Sequence, residues 1–277
     1  MAQVADKLDT GSPTAAEAAF RAARQRQTWR RRTLPLIGAG ALLGIWALLV
    51  YGLEVPPFVA PSPQLVAQTL VSKFGLLMDN LLPTAIEAVC GFLLGNLAAI
   101  VIATVFVHKK SVEEAFFPMV VLINTIPVVA KAPILVLLMG NGMEPKIAIA
   151  ALICFFPTLV NMVRGLESVN PQAMELMRVL SASKTEVFLK LRLYNSLPYL
   201  FSALKIASST AVIGAIVGEW IGTTKGIGAL IVQATYSFDS ALLYATVIVG
   251  SCFSVSFFLL ITLLERLVVR WNAPQVV

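Results

Sequence analysis

The sequence predicts an all-α membrane protein of about six transmembrane helices. Three observations carry that class. The 277 residues are 58% apolar and only 13% charged, where a soluble domain carries about 25% charged residues. Mean hydropathy is +0.83, so lipid must solvate much of the chain. The apolar residues also fall into six runs of spanning length, with basic residues gathered on alternate connections.

The elements follow in order. Residues 1–32 read as a cytosolic basic tail, helical from Pro13 onward. Arg21, Arg24, Arg26, Arg30, Arg31 and Arg32 abut an apolar run, so they anchor to an anionic leaflet rather than to nucleic acid. The stretch does not read as a cleaved signal, because about twenty residues precede it and the apolar run is of spanning length. A membrane domain is expected over 33–271. Its first span, 34–53, carries no charge and ends near the interfacial aromatics Trp46 and Tyr51. An outer loop, 54–80, begins with Pro56, Pro57, Pro61 and Pro63. Ser62-Pro63 reads as an N-cap and first-turn proline for an amphipathic surface segment over 64–77. The second span is 81–107, closed by His108-Lys109-Lys110, and the third is 116–139, interrupted by Pro127 and Pro133. A turn over 140–146 leads to the fourth span, 147–163. A polar stretch, 164–195, precedes the fifth span, 197–221. A Gly-rich outer loop, 222–239, leads to the sixth, 241–264, and 272–277 form a C-terminal cytosolic tail.

Charge sets the orientation. With the N-terminus inside, sixteen of the 21 Lys and Arg fall on inner segments and only Lys73, Lys146 and Lys225 on outer ones. Lys131 and Lys205 lie within spans. Six spans and that bias put both termini in the cytoplasm of a cell with this chain in its inner membrane. Composition also excludes several chemistries. Cys90, Cys154 and Cys252 lie in separate apolar runs, which reads as buried small residues rather than a disulfide or metal set. His108 is the only histidine, and Ser208, Ser209 and Thr210 have no His partner, so no catalytic residue, metal or cofactor is expected.

The stretch 164–195 is too polar for lipid and reads as two short helices, 171–180 and 184–191, joined by Ser181-Ala182-Ser183. Pro198 then opens the fifth span, where its missing N–H costs least. Two readings stand: an ordinary connection, or a rigid polar knob rooted in two spans, so that turning the knob turns the helices. Here Glu175-Leu176-Met177-Arg178-Val179-Leu180-Ser181-Ala182-Ser183-Lys184, followed by Leu197-Pro198, resembles the EAA loop of binding-protein-dependent ABC importer permeases. The chain keeps that loop's Glu (Glu175) and Leu-Pro, but has Leu176 and Met177 for the alanines and Ser181 for the glycine. Ser181 should therefore adopt φ < 0 or hold modest strain. Pro61-Ser62-Pro63, Gly91-Phe92-Leu93-Leu94-Gly95, Phe155-Phe156-Pro157, Gly214 through Gly222, and Gly226-Ile227-Gly228 are similar to the nitrate/sulfonate/taurine branch, which includes thiamine-precursor and riboflavin permeases.

The resemblance implies a type I ABC importer (MetI-like) transmembrane domain acting as a homodimer in the lipid bilayer. An ATP-binding cassette subunit would dock on the loop through Glu175, Arg178, Ser181, Ala182, Ser183, Lys184 and Pro198. A periplasmic solute-binding protein would dock outside. No G-x-x-x-x-G-K-[ST] is present, so ATP hydrolysis falls to the separate subunit.

Ionisable residues inside spans are costly and usually paired or functional. At about 1.5 Å per residue, Glu87 lies about 9 Å and Lys131 about 12 Å below the outer ends of their spans. Three readings stand: they pair, both line a water-filled cavity, or Lys131 contacts the solute. Asn124 through Pro133 reads as a broken helix, a form tolerated where protein or a cavity receives the freed carbonyls. Asn124, Pro127, Lys131 and Pro133, with Glu87 and Glu219, are the expected translocation path, although a packing kink would give the same prolines. Glu219 is expected within reach of water, fixing the outer gate, and Lys205 snorkels inward. Gly91, Gly95, Gly214 and Gly218 repeat at four residues, which permits close helix contact within the bundle or across a dimer. An ion-coupled secondary transporter is the alternative, but inverted repeats and midplane acids are wanting. Lys131 favours an anion or a polar heterocycle as the solute.

Overall fold

A backbone in hydrocarbon must close its hydrogen bonds within each segment. The computed structural model describes residues 15–269, and these form helices without a strand. The helices are α1 (Ala15–Gly52), α2 (Pro63–Ser72), α3 (Phe74–His108), α4 (Lys110–Thr125), α5 (Val128–Met139), α6 (Glu144–Glu167), α7 (Pro171–Val179), α8 (Lys184–Val187), α9 (Leu193–Glu219), α10 (Ile227–Tyr236) and α11 (Ser240–Val268). Five helices are long and apolar enough to cross a membrane, or six if the bent pair α4–α5 counts as one span.

The chain divides into two units, 1–63 and 64–277. The first is α1, a single helix of 38 residues whose Thr33–Gly52 portion has spanning character. Of the expected cytosolic tails, residues 1–14 and 272–277, with Arg270, lie outside the described residues, as do the side chains of Arg21, Arg24, Arg31 and Arg32.

In the second unit α6 is the central helix, packed between α3 and α9, with α11 laid against α9 and α10. Small residues explain the closeness. A Cβ on Gly91 or Gly95 would run into Ala150 or the Ala151 backbone of α6, and one on Gly214 would sit 2.8 Å from the Ala150 Cα. The glycine spacing thus serves the bundle itself. Ala88, Phe92, Cys154, Ala207, Ala211 and Ala215 form one apolar core, and Ala99, Ala103, Leu159, Met162 and Leu166 another. By contrast α4 buries no side chain and α5 only Ala132.

Several sequence expectations shift. The amphipathic segment 64–77 breaks at Lys73, and its second half is the start of α3, which carries Pro83 within it. The third span bends by 99° between α4 and α5. Ile126 is extended, at φ −65° and ψ 125°, because a following proline disfavours the helical region. Pro133 lies inside α5 and breaks nothing. The segment 184–191 is no separate helix: α8 passes through a π turn, Phe188–Arg192, straight into α9, so Pro198 sits inside a helix already under way. The Gly-rich loop 222–239 contains α10, preceded by Gly222 and Gly226 at φ +70° and +123°. Cys154 is buried, but Cys90 is half-buried and Cys252 exposed, and all are free. Lys205 does not snorkel alone; its Nζ lies 2.9 Å from Glu265 Oε2 of α11.

Candidate functional site

The polar stretch between α6 and α9 is a folded elbow. Asn170 caps α7, its Oδ1 accepting from Gln172 N at 2.9 Å, with Pro171 at the first helical position. At the other end Ala182 N donates to Met177 O (3.0 Å) and Ser181 N to Arg178 O (2.9 Å). That pair is a Schellman motif, which puts Ser181 in the left-handed region at φ +54°. Of the two expectations for Ser181, the φ < 0 conformation is excluded and strain is what the chain carries, because the motif's geometry outweighs the residue's preference.

The next turn is a capping box. Ser183 Oγ accepts from Glu186 N (3.2 Å) and Glu186 Oε2 accepts from Ser183 N (3.0 Å). Lys190 adds an exposed pair to Glu186 at 3.1 Å. The sequence signal for it is the S-x-x-E spacing of Ser183 and Glu186. Glu175, Arg178, Ser183 and Lys184 are exposed and Ala182 and Pro198 half-buried. Leu176, Val179 and Leu180 turn apolar side chains to the surface beside them.

The elbow is rooted at both ends. Asn195 Nδ2 donates to Gly165 O (3.2 Å) and Ser168 Oγ (2.9 Å), tying the start of α9 to the end of α6. A Cβ on Gly165 would meet Tyr199 Cβ at 2.8 Å and Ser196 Cα at 3.0 Å, so the two roots touch backbone to backbone. Lys110 Nζ bridges Glu113 (2.9 Å) and Glu167 (3.3 Å), joining α4 to the same corner.

The bent pair carries Asn124, Pro127 and Pro133 on exposed surface and Lys131 half-buried. Lys131 makes no ion pair among the described residues, so the expected pairing with Glu87 is not what forms. Glu87 instead faces Lys146, its Oε1 lying 3.8 Å from Nζ, with both side chains buried. Lys146 thus lies in α6 and not in the expected outer turn 140–146. Pro145, in the first turn of α6, starts that helix early enough to carry Lys146 into the bundle, and it was the signal to read.

Glu219 is likewise buried, 1% exposed, and not within reach of water. Its Oε1 accepts from Thr84 Oγ1 (2.6 Å) and its Oε2 from Gly228 N (2.6 Å). Asn80 Oδ1 accepts from Gly226 N (2.9 Å) and Thr84 Oγ1 from Ile227 N (2.8 Å). Three successive amides at the start of α10, which its own helix cannot satisfy, are thus received by side chains of α3 and α9. Gly226 and Gly228 are needed there, because a Cβ on either would collide with the Glu219 side chain or the Ile216 carbonyl. Glu87 and Glu219 therefore belong to an enclosed cluster and do not share the exposed face of Asn124 and Pro127.

Residues 91–272 match the family described as binding-protein-dependent transport system inner membrane component. An ABC transporter permease protein of Haemophilus influenzae is 36% identical over 78% of this chain and 88% of its own length. The formylaminopyrimidine transport permease ThiX of Halalkalibacterium halodurans is 34% identical over 79% of this chain and 88% of its own. The riboflavin transport system permease RibX of Chloroflexus aurantiacus is 34% identical over 90% of this chain and 93% of its own. A multi-pass helical bundle agrees with those matches, and the chain belongs to the binding-protein-dependent ABC importer permeases.

Proposed function

We propose that this chain is the non-catalytic permease subunit of an ATP-driven importer in the bacterial inner membrane. It would form the translocation pathway for a small polar heterocycle or anion handed over by a periplasmic solute-binding protein. The observation that carries the proposal is the elbow: a capped, polar projection whose two roots are hydrogen-bonded to each other through Asn195. A flexible connection would dissipate an applied force, whereas this one moves α6 and α9 together. The exposed Leu176, Val179 and Leu180, framed by Glu175, Arg178, Ser183 and Lys184, supply an apolar centre and polar rim for an ATP-binding cassette subunit. Basic residues at the elbow support a cytoplasmic position for it and for both termini.

The pathway is assigned to the bent pair α4–α5. Its nearly unburied helices leave faces for a second copy of the chain, with Asn124, Pro127, Lys131 and Pro133 between the copies. Lys131, a cation without an ion pair among the described residues, suits an anionic or electron-rich solute. The names of the riboflavin and formylaminopyrimidine relatives support a heterocycle. Replacing the exposed Val179 by Asp tests the elbow. The variant should insert and fold as the wild type does, yet lose co-purification with the ATP-binding subunit at least tenfold. Retained co-purification would remove the elbow from the interface.

A further inference from the structure

The helices that root the elbow carry, at their other ends, the buried cluster. On α6, Lys146 and Glu167 are about 30 Å apart at about 1.5 Å per residue. On α9, Asn195 sits at one end and Glu219 at the other. Glu87 of α3 stands against Lys146, and Glu219 bonds Thr84 of α3 and the backbone of Gly228. We propose that this cluster is the outer terminus of the coupling machinery. Asn80, Thr84 and Glu219 form a clasp on the first turn of α10, and displacement of α6 and α9 by the elbow is delivered to α10 through it.

Three features favour transmission over simple packing. The clasp holds successive amides, Gly226 to Gly228, so it fixes the direction of α10 as well as its position. Its members come from α3 and α9, so any sliding between those helices must pull on α10. Glu87 Oε2 is buried without a hydrogen-bond partner, the single side-chain oxygen or nitrogen so placed among the described residues. Glu87 faces the Glu219 carboxyl as well as Lys146, so a shift of α6 or α9 against α3 is felt by all three side chains. Thr84, Asn80 and Lys146 are positioning residues in this scheme: they touch no solute.

The inference rests on the permease–ATPase reading above, and the test separates the two. The chain is placed in lipid nanodiscs with its ATP-binding subunit, and hydrogen–deuterium exchange over 222–230 is compared without nucleotide and with ATP plus vanadate. In the wild type, trapping nucleotide should change exchange at this segment at least threefold. In Thr84→Val the nucleotide response should vanish while ATP hydrolysis per bound subunit stays within twofold, and Thr84→Ser, which keeps the hydroxyl, should restore the response. A wild type without any response, or a Thr84→Val variant that keeps it, overturns the clasp's role. So does parallel loss of hydrolysis and response, which marks a merely structural contact. If Thr84→Val does not fold, Asn80→Ala decides by the same criteria. Failure of the wild-type chain to bind the subunit at all would overturn the permease–ATPase reading instead.

Discussion

Ser181 shows how a motif can dictate geometry against residue preference. The Schellman bonds at the end of α7 require a left-handed residue, and an L side chain there costs about 1–2 kcal/mol. Glycine adopts the same conformation without that cost, at some loss of unfolded-state restriction. Ser181→Gly should therefore raise stability by up to about 1 kcal/mol, read as a higher thermal midpoint in detergent. A lower midpoint would mean that the Ser181 side chain contributes more than its strain removes. Asp239 gives a pH-dependent case. It accepts from Leu242 N as the cap of α11 and pairs with Lys73 at 2.7 Å. The bond from Lys73 holds the Asp239 carboxyl below its ordinary value. A lowered folded-state value means that the stabilisation is fully present above the unfolded value and disappears as pH falls through the folded one. Thermal stability should thus decline below pH about 4, and Asp239→Asn, which keeps a capping side chain, should remove that part of the decline. Both side chains are partly exposed, so high salt should weaken the effect.

At the scale of elements, apolar run length was a sound guide because lipid imposes it. Helix ends were less legible. The first turn of α3 looks amphipathic, so 74–77 read as surface. α10 was hidden because the glycines before it signal a loop, while its orphan amides are satisfied by the nearby Glu219 and by Asn80 and Thr84, more than 140 positions away. The elbow was visible because its polarity interrupts an apolar chain, and the break before Pro127 because a proline constrains the residue ahead of it. The ion pair was misjudged for a related reason: depth matched Glu87 with Lys131, but only the packing of α3 on α6 selects Lys146. That packing has its own test. A side chain at Gly95 would press on the Ala151 backbone, which cannot rotate away. Gly95→Val should cost about 1–3 kcal/mol through overpacking, seen as a lowered midpoint and a smaller monodisperse fraction. An unchanged midpoint would show that α3 and α6 can part without penalty.

For the whole molecule, one mechanical relation joins these pieces. The central helix α6 and its neighbour α9 meet at a stapled corner beside the elbow, run side by side, and end at the buried cluster. The bent pair α4–α5 buries only Ala132 against that frame, and in the proposed scheme it reorganises as the frame moves. Such a division of labour needs the elbow to stand in the cytoplasm against the ATP-binding subunit. The decisive measurement is a single-cysteine cross-link: Cys90, Cys154 and Cys252 replaced by Ala, Val179→Cys introduced, and the chain assembled with its ATP-binding subunit in native membranes. The expected result is a cross-link between the two chains, with an impermeant maleimide blocking it only in inverted vesicles. Blocking from the outer face, or no cross-link in an assembled complex, would contradict it.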